Sequence, residues 1–84
     1  MKVTLKLFAS LERHLPPEAR ASHRVELDVE PGTTIVDLVR RQRVPEELCA
    51  IVLVDGAWVS RQDRARRVLA EGEVLAIWPP VAGG

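Results

Sequence analysis

The sequence predicts an α+β domain in which a mixed sheet of four to five strands packs over one main helix. Two segments near the amino terminus alternate polar and apolar residues, a segment with helical periodicity follows, and two or three strand-like segments come after it. One small sheet over one helix is the economical way to bury the apolar faces of this β-β-α-β-β order. We expect the domain to span residues 1–78 and an extended, flexible tail to occupy residues 79–84.

The size and charge of the chain limit the kinds of protein that it can be. A chain of 84 residues fits one domain, because such a chain buries only about 60–65% of the surface that its unfolded form exposes. A hydrophobic fraction of 46% argues against disorder. The 12 basic residues balance the 12 acidic ones, so the chain has no long-range attraction for a polyanion, and a nucleic-acid partner is not expected.

The number of cysteines and the hydropathy of the chain indicate the cellular compartment. Cys49 is the single cysteine, so an internal disulfide is excluded and a secreted disulfide scaffold is not expected. No apolar run approaches the roughly 18–20 residues of a membrane span. The amino terminus alternates where a signal peptide would be continuously apolar. We therefore expect a soluble cytoplasmic protein that does not bind a membrane.

The first two strands are predicted from period-two alternation. Residues 2–8 place Val3, Leu5 and Leu7 on one face, and residues 23–29 alternate in the same way. Between them, residues 9–15 can form a short helical stretch that Pro16-Pro17 ends, since proline disfavours helix before it and cannot donate a backbone hydrogen bond. Residues 18–22 are predicted as a loop.

The main helix has a marked beginning and end. Thr34 can cap it, and Asp37 stands three residues later at capping-box spacing. The apolar residues that follow share one helical face: Ile35, Leu38 and Val39. The last turn of the helix is predicted to contain three arginines, whose positive charges are stabilised by the negative end of the helix dipole: Arg40, Arg41 and Arg43.

The second half of the chain predicts a central strand and two turns. Residues 49–54 form an apolar, β-branched run that predicts a strand covered on both faces. Asp55-Gly56 is a strong turn pair before a short return strand. Residues 60–67 are polar and are predicted as a solvated excursion, and residues 74–78 form the last strand after a turn at Glu71-Gly72.

The chain continues for six residues beyond its last predicted strand. Pro79-Pro80 must end the ladder, and two prolines favour a stiff, extended conformation that projects the remaining residues away from the body. The last four residues can then reach at most about 13–14 Å, far enough to enter another protein's active site.

Gly83-Gly84 has the properties that such an entry needs. Without a Cβ, both residues fit a narrow channel and adopt dihedrals closed to other residues. The carboxyl group of Gly84, as the terminal residue, is ionised at neutral pH and can attack the α-phosphate of ATP to give an acyl-adenylate. A frayed, inert terminus is the alternative interpretation.

Several motifs together resemble one known family. They are LFASLERHLP at 7–16, PGTTIVDL at 31–38, the Leu-x-x-Gly-acid-Val pattern at 69–74, and WPPVAGG at 78–84. Over essentially its whole length the chain resembles the MoaD/ThiS group of ubiquitin-like sulfur carriers, which have the β-grasp fold. The closing motif is similar above all to that of the small subunit of molybdopterin synthase.

The resemblance implies a mechanism centred on Gly84. A MoeB-like enzyme adenylates its carboxylate with ATP and magnesium, and a sulfurtransferase or cysteine desulfurase supplies sulfur to form a thiocarboxylate. The tail then threads into a MoaE-like large subunit, within a heterotetramer, and donates sulfur to precursor Z for molybdopterin. The threading residues are Pro79, Pro80, Val81, Ala82 and Gly83. The carrier is not catalytic on its own and holds no permanent cofactor.

Two aromatic residues are candidates for partner binding. Trp78 precedes the prolines and has the opposite parity to Leu75 and Ile77, so it can either be buried or contact a partner. Phe8 shares a face with Lys2 and Lys6 and can extend the same patch. We expect this patch to bind the activating enzyme and the large subunit in turn.

The remaining chemistry-bearing residues have structural interpretations. Cys49 is expected to be a small core residue rather than a redox or acyl-transfer group. His14 and His23 have no partner at metal-site spacing, so no metal site is expected. A local excess of arginine is interpreted either as a solvated loop or as a docking surface for an acidic partner: Arg61, Arg64, Arg66 and Arg67, offset only by Asp63.

Three functions remain open from the sequence. The first is sulfur transfer for molybdenum cofactor. The second is a thiocarboxylate carrier for the thiamine thiazole, tRNA thiolation or cysteine. The third is a ubiquitin-like modifier that is joined through Gly84 to lysines of other proteins, with only Lys2 and Lys6 as acceptors within the chain. A binding module with an inert tail is the simplest alternative.

Overall fold

A computed structural model describes residues 1–81, and within them five strands and one α-helix form. The elements are β1 (Lys2–Leu7), β2 (Arg24–Asp28), α1 (Ile35–Arg41), β3 (Ile51–Val54), β4 (Ala57–Trp58) and β5 (Val74–Trp78). Short 3-10 helices lie in the connections at Ala9–His14, Pro17–Ala19, Glu46–Leu48 and Arg61–Asp63. The predicted α+β class is confirmed.

All five strands belong to one mixed sheet, in the order β2-β1-β5-β3-β4. β5 pairs parallel with β1, while the pairs β1–β2, β3–β5 and β3–β4 are antiparallel. The last strand in sequence is therefore the central strand in space. A parallel pair needs a long crossover connection, and here residues between β1 and β5, α1 among them, provide it.

The core lies between one face of the sheet and α1. Alternate residues of the central strands point toward the helix and are almost completely buried: Val3, Leu5, Leu7, Leu75 and Ile77. The helix contributes Ile35, Leu38 and Val39, the face predicted from its periodicity. The short helical segment at Ala9–His14 adds Leu11, which is also fully buried.

The beginning of α1 has the predicted capping box. The hydroxyl oxygen of Thr34 accepts a hydrogen bond from the Asp37 backbone N–H at 3.1 Å, and a carboxylate oxygen of Asp37 accepts one from the Thr34 N–H at 3.0 Å. These bonds hold the pKa of Asp37 below its usual range. The prediction for the last turn holds for Arg40 and Arg41 but is wrong for Arg43, which lies beyond the helix with φ of 58°.

The prediction that residues 49–54 are covered on both faces is wrong. β3 begins at Ile51, and 44% of Ile51 is exposed, whereas Val52 is fully buried. The strand is next to the edge of the sheet, and α1 covers only one face of that sheet. A continuous apolar run therefore forms a strand with one buried and one exposed side.

The turn after β3 is confirmed at Asp55-Gly56. Both residues have positive φ, 49° and 84°, which is the pattern of a type I′ hairpin turn. At the start of β2, His23 also has a positive φ of 61°, so the strand begins one residue later than predicted.

In residues 1–81, no helix has both the length and the apolar character needed to cross a bilayer.

Arg67 and Glu73 fasten the loop before β5 to its turn. Nη2 of Arg67 donates to Oε2 of Glu73 at 2.7 Å, and Oε1 of Glu73 accepts from the Ala70 N–H at 2.7 Å. The hydrogen bond from Arg67, followed by that from Ala70, lowers the pKa of Glu73. The carboxylate is therefore required in its ionised form.

We expect Glu73→Gln to lower the free energy of unfolding by about 1–2 kcal/mol at neutral pH. A lowered folded-state pKa stabilises the protein above the ordinary value of about 4.5, and that contribution is lost as the pH falls through the folded-state pKa. Urea unfolding should therefore show the difference from wild type shrinking in acid. Glu47→Gln is the control, because Glu47 is exposed and forms no hydrogen bond or ion pair with residues 1–81. A difference that does not change with pH would contradict the assignment.

Candidate functional site

The tail leaves the domain from a position fixed on both sides. The carbonyl oxygen of Ile77 accepts a hydrogen bond from the Phe8 N–H at 3.2 Å, and that of Trp78 accepts one from the Ala50 N–H at 3.0 Å. The last two residues of β5 are thus tied to the chain segments beside β1 and β3. Since proline has no N–H to donate, the ladder cannot continue through Pro79.

Exposure increases along the described part of the tail from Pro79 to Val81. Pro79 is half-buried, Pro80 is exposed, and Val81 is 77% exposed. Ala82, Gly83 and Gly84 lie outside the described residues, so the reacting role of Gly84 and the threading roles of the tail stay predictions. The boundary between a domain at 1–78 and a tail at 79–84 stays a prediction as well.

Phe8 and Trp78 contact each other beside this exit point, so they do share a patch, whose role in partner binding stays a prediction. Their ring centroids are 4.4 Å apart and their planes differ by 7°. His23 stacks on Phe8 with centroids 5.4 Å apart, so three rings form one column. Nδ1 of His23 lies 2.7 Å from a carboxylate oxygen of Glu12. The column covers the end of β5 with flat, half-buried rings.

The rings belong to a larger apolar surface on the side of the sheet opposite α1. Cross-strand partners point to the same side, and Ile51 pairs with Trp78 while Leu53 pairs with both Ala76 and Trp58. We call these six residues the outer apolar face: Phe8, Ile51, Leu53, Trp58, Ala76 and Trp78. Trp58 is 65% exposed and Ile51 is 44% exposed, so this face offers large apolar side chains to a partner.

Sequence reasoning found two members of this face and missed the others. Ile51 and Leu53 belong to a continuous apolar segment, which predicted burial on both faces of the strand. Trp58 lies in a return strand of only two residues, too short to show alternation. The available signal was alternation along β3, because Ile51 and Leu53 point to the side opposite the buried Val52 and Val54. This alternation predicts exposure only once it is known that no helix packs on that side of the sheet.

Charged residues occupy the rest of the same side of the sheet. Lys2 donates to Asp28 at 3.0 Å, a contact that raises the pKa of Lys2 and lowers that of Asp28. Lys6 and Arg24 are cross-strand neighbours of like charge, and Lys6 pairs on its other side with Ala76. Neither forms an ion pair with the described residues. A partner for this surface would combine an apolar patch with acidic groups.

The arginine cluster does not behave as one solvated loop. Arg64 is 6% exposed and donates to the carbonyl oxygens of Cys49 at 2.6 Å and Ala50 at 3.4 Å, so its predicted solvation is wrong. Burial, and then repulsion from Arg61, lowers the pKa of Arg64. Arg66, in contrast, is an exposed partner of Asp63 at 2.8 Å. The buried arginine fixes the entry to β3, which turns carbonyl groups toward it.

Cys49 is a core residue, as predicted. It is 2% exposed, and burial raises the pKa of its thiol. His14 is half-buried, and its pKa is lowered by burial and by Arg13. Within residues 1–81 no three or more His, Cys, Asp or Glu side chains cluster in a way that could hold a metal ion.

The fold and the exit of the tail define a class. A mixed five-stranded sheet over one helix, with the last strand central, is the ubiquitin-like β-grasp. The ThiS family model matches residues 6–84, nearly the whole chain, and the protein belongs to the ThiS family. No curated protein gives a significant match to the chain.

Solved structures share this fold. SAMP1 from Haloferax volcanii is 28% identical over 100% of both chains, with a TM-score of 0.65. The Haloferax volcanii HVO 2177 protein is 24% identical over 100% of this chain and 87% of its own, with a TM-score of 0.76. Subunit 1 or 2 in a Helicobacter pylori complex of molybdopterin-converting factor is 14% identical over 100% of both chains, with a TM-score of 0.59. The last two show likeness of fold alone.

We expect Phe8 and Trp78 to stabilise the exit point together. A double-mutant cycle of Phe8→Ala and Trp78→Ala should give a coupling energy of about 0.5–1.5 kcal/mol in urea unfolding, because the rings stack in parallel. The control cycle uses Phe8→Ala and Trp58→Ala. Phe8 directly follows β1, Trp58 lies in β4, and β5 and β3 lie between those two strands. Equal coupling in both cycles would show that the stacking contact carries no specific energy.

Proposed function

We propose that this protein is a thiocarboxylate sulfur carrier that acts as the small subunit of a molybdopterin synthase-type complex. The observation that carries the proposal is the fixed position at which an apolar PPVAGG tail leaves the central strand after Trp78. Membership in the ThiS family supports a carrier or modifier of the ubiquitin-like class. The proposal requires that Gly84 bear a free carboxylate.

Activation proceeds at Gly84. Its carboxylate oxygen attacks the α-phosphorus of ATP in a MoeB-like enzyme that uses magnesium, and pyrophosphate leaves. A cysteine persulfide supplied by a cysteine desulfurase or sulfurtransferase then displaces AMP and forms an acyl disulfide. A second thiol cleaves its S–S bond, which leaves a thiocarboxylate on the glycine and a disulfide on the donor side. The thiocarboxylate sulfur attacks precursor Z and links it to Gly84 as a thioester. Water then cleaves the bond between the acyl carbon and the sulfur, which leaves the sulfur on the pterin precursor and restores the Gly84 carboxylate.

Delivery depends on the length and stiffness of the tail. The six residues from Pro79 to Gly84 extend at most about 20 Å, and the two prolines keep the first part straight. The exposure of Val81 is consistent with a tail that points away from the body. The domain can therefore dock outside an active site while Gly84 reacts within it.

Docking uses the outer apolar face. Ile51 and Phe8 lie beside Trp78, the last residue before the tail, so a partner that covers Ile51 and Trp78 also receives the tail. We propose a MoaE-like large subunit as this partner, in a heterotetramer, and the activating enzyme as a second partner for the same surface. The Helicobacter pylori complex, in which subunits 1 and 2 of a molybdopterin-converting factor associate, supports a partner of this kind.

A ubiquitin-like modifier is the second candidate. The similarity to SAMP1, a small archaeal modifier protein, over the full length of both chains supports it. Its activation is the same, but a lysine amine rather than sulfur captures the adenylate. A carrier for thiamine thiazole, tRNA thiolation or cysteine would share the thiocarboxylate and differ in its acceptor.

Intact mass spectrometry tests the reaction. Protein purified from its native host should contain a fraction in which one oxygen is replaced by sulfur, and deletion of Gly84 should remove that fraction. The unmodified carboxylate under every growth condition would contradict the carrier. Tail-derived peptides on lysines of other proteins would favour the modifier instead.

A matched pair of variants tests the docking surface. We expect Ile51→Glu to abolish co-purification with the host's MoaE-like subunit, because it places a charge in the centre of an apolar interface. Val68→Glu is the control, since Val68 is 47% exposed but bridges to Thr34 at the start of α1, away from the outer apolar face. Loss of the complex in both variants, or in neither, would contradict docking through this face.

A further inference from the structure

The side of the sheet opposite α1 changes in chemistry from one edge to the other. Direct cross-strand partners point to the same side of a sheet. Five such partners form one row across all five strands, from β2 to β4: Arg24, Lys6, Ala76, Leu53 and Trp58. We call these residues the transverse row. It has two cations at one end, a small residue at its centre and two large apolar side chains at the other end.

The cationic end of the transverse row has no partner among the described residues. Arg24 and Lys6 are direct neighbours of like charge, an arrangement that destabilises a sheet, and neither forms an ion pair with residues 1–81. The acidic side chains of β2 act on Lys2 instead, at the other end of β1, where they raise its pKa. Arg24 is exposed, so its guanidinium group is available to another molecule.

The apolar end of the transverse row offers what the cationic end lacks. Trp58 is 65% exposed and does not belong to the core. The face of an indole ring attracts cations, and among side chains the arginine guanidinium is the most frequent partner. Arg24 and Trp58 cannot meet within one chain, because β2 and β4 are opposite edges of the sheet, four strand spacings or about 19 Å apart.

A second copy of this chain, packed face to face, brings these two ends together. β5 is the middle strand, so a two-fold axis along β5 lays β1 over β3 of the second copy and β2 over its β4. Arg24 then faces Trp58 of the second copy, and the symmetry makes this contact twice. The alkyl part of Lys6 faces Leu53 of the second copy. Ala76 lies on the axis, where its small side chain lets the two sheets approach.

Charge selects this axis over the alternative. A two-fold axis across the strands would lay each strand over itself, so superposition of the apolar residues would also bring Arg24 against Arg24 of the second copy. The axis along β5 keeps the cations of the two copies on opposite sides of the interface. Packed sheets cross at about 30°, which at about 10 Å from the axis displaces an edge strand by about 5 Å. An arginine side chain is long and flexible enough to span that displacement.

We propose that, without another partner, this protein forms a reversible two-fold dimer through its outer apolar face, with Arg24 of each copy on the Trp58 indole of the other. The sheet is about 19 Å wide and its central strands are about 17 Å long, a flat footprint of about 320 Å² per copy. Stable complexes bury about 800 Å² per partner, so this dimer is weak and exchanges rapidly. The inference goes beyond the proposed function and does not depend on it, since Gly84 and sulfur play no part in it.

Sedimentation equilibrium of the full chain tests the association. Between about 10 µM and about 1 mM, the average mass should rise from the 9.3 kDa of one chain toward twice that value, with a Kd on the order of 100 µM. A mass of one chain over the whole range would overturn the inference. Masses that continue past two chains would overturn it as well, because a two-fold interface is closed.

Nuclear Overhauser spectra of mixed samples test the orientation. In a mixture of copies labelled with carbon-13 and nitrogen-15 and unlabelled copies, isotope-filtered spectra report only contacts between copies. The indole protons of Trp58 should contact side-chain protons of Arg24, and the separation of about 19 Å within one chain excludes an intramolecular origin. Contacts between the Arg24 residues of two copies would assign the other axis. A dimer without contacts to either residue would place the interface elsewhere.

A matched pair of variants separates the proposed contact from net charge. Arg24→Gln should raise the Kd of the dimer about 5- to 30-fold, because both symmetry-related cation–π contacts are lost. Arg43→Gln is the control and should leave the Kd unchanged. Arg43 is exposed, follows α1 on the other side of the sheet, and forms no ion pair with the described residues. Equal Kd values for the two variants would contradict the contact between Arg24 and Trp58.

Discussion

The pairing of β5 on both of its edges is the constraint on which the rest of the structure depends. β5 is parallel to β1 and antiparallel to β3, and the bonds to Phe8 and Ala50 hold it up to its last two residues. A strand at the edge would leave its final residues free to fray. β5 is instead a central strand held on both edges up to Trp78, and Pro79 ends the pairing. The tail therefore begins at a position that the neighbouring strands fix.

The outer apolar face is a consequence of the same small architecture. One helix of seven residues can cover only one side of a five-stranded sheet. The uncovered side must therefore carry polar residues that face solvent, or apolar residues that a partner covers. In this chain, one part of that side is polar and the other part is apolar. Charged residues occupy β2 and most of β1, while the apolar residues lie along β3, β4 and the end of β5, next to the tail. Trp58 is 65% exposed and is not part of the core, so most of its side chain is available to a partner.

Local signals were sufficient for most of the fold and insufficient for the surfaces. The Thr34 cap, the Asp55-Gly56 turn and the strand alternation each depend on residues within a few positions of one another, so the sequence contains them in full. The environment of Arg64 depends on carbonyl groups 14 and 15 residues away, which only the folded chain brings to it. Ile51 likewise could not be assigned to an exposed face until the position of β3 in the sheet was known. From composition alone an arginine is expected to face solvent, but in the folded chain the backbone carbonyl groups of Cys49 and Ala50 hold Arg64 in the interior.

The arrangement of the chain's own nucleophiles fits a carrier of an activated acyl group. An adenylated glycine would react with any accessible thiol or amine, including those of the carrier itself. The single thiol, Cys49, is buried, and burial raises its pKa, so the reactive thiolate is scarce. Lys2 is held in an ion pair with Asp28 that raises its pKa, and the amino group of Met1 donates to the Val29 carbonyl oxygen. Lys6 lies on the side of the sheet that the proposed partners cover. The described part of the body thus presents few nucleophiles that would compete for the activated glycine of the proposed carrier.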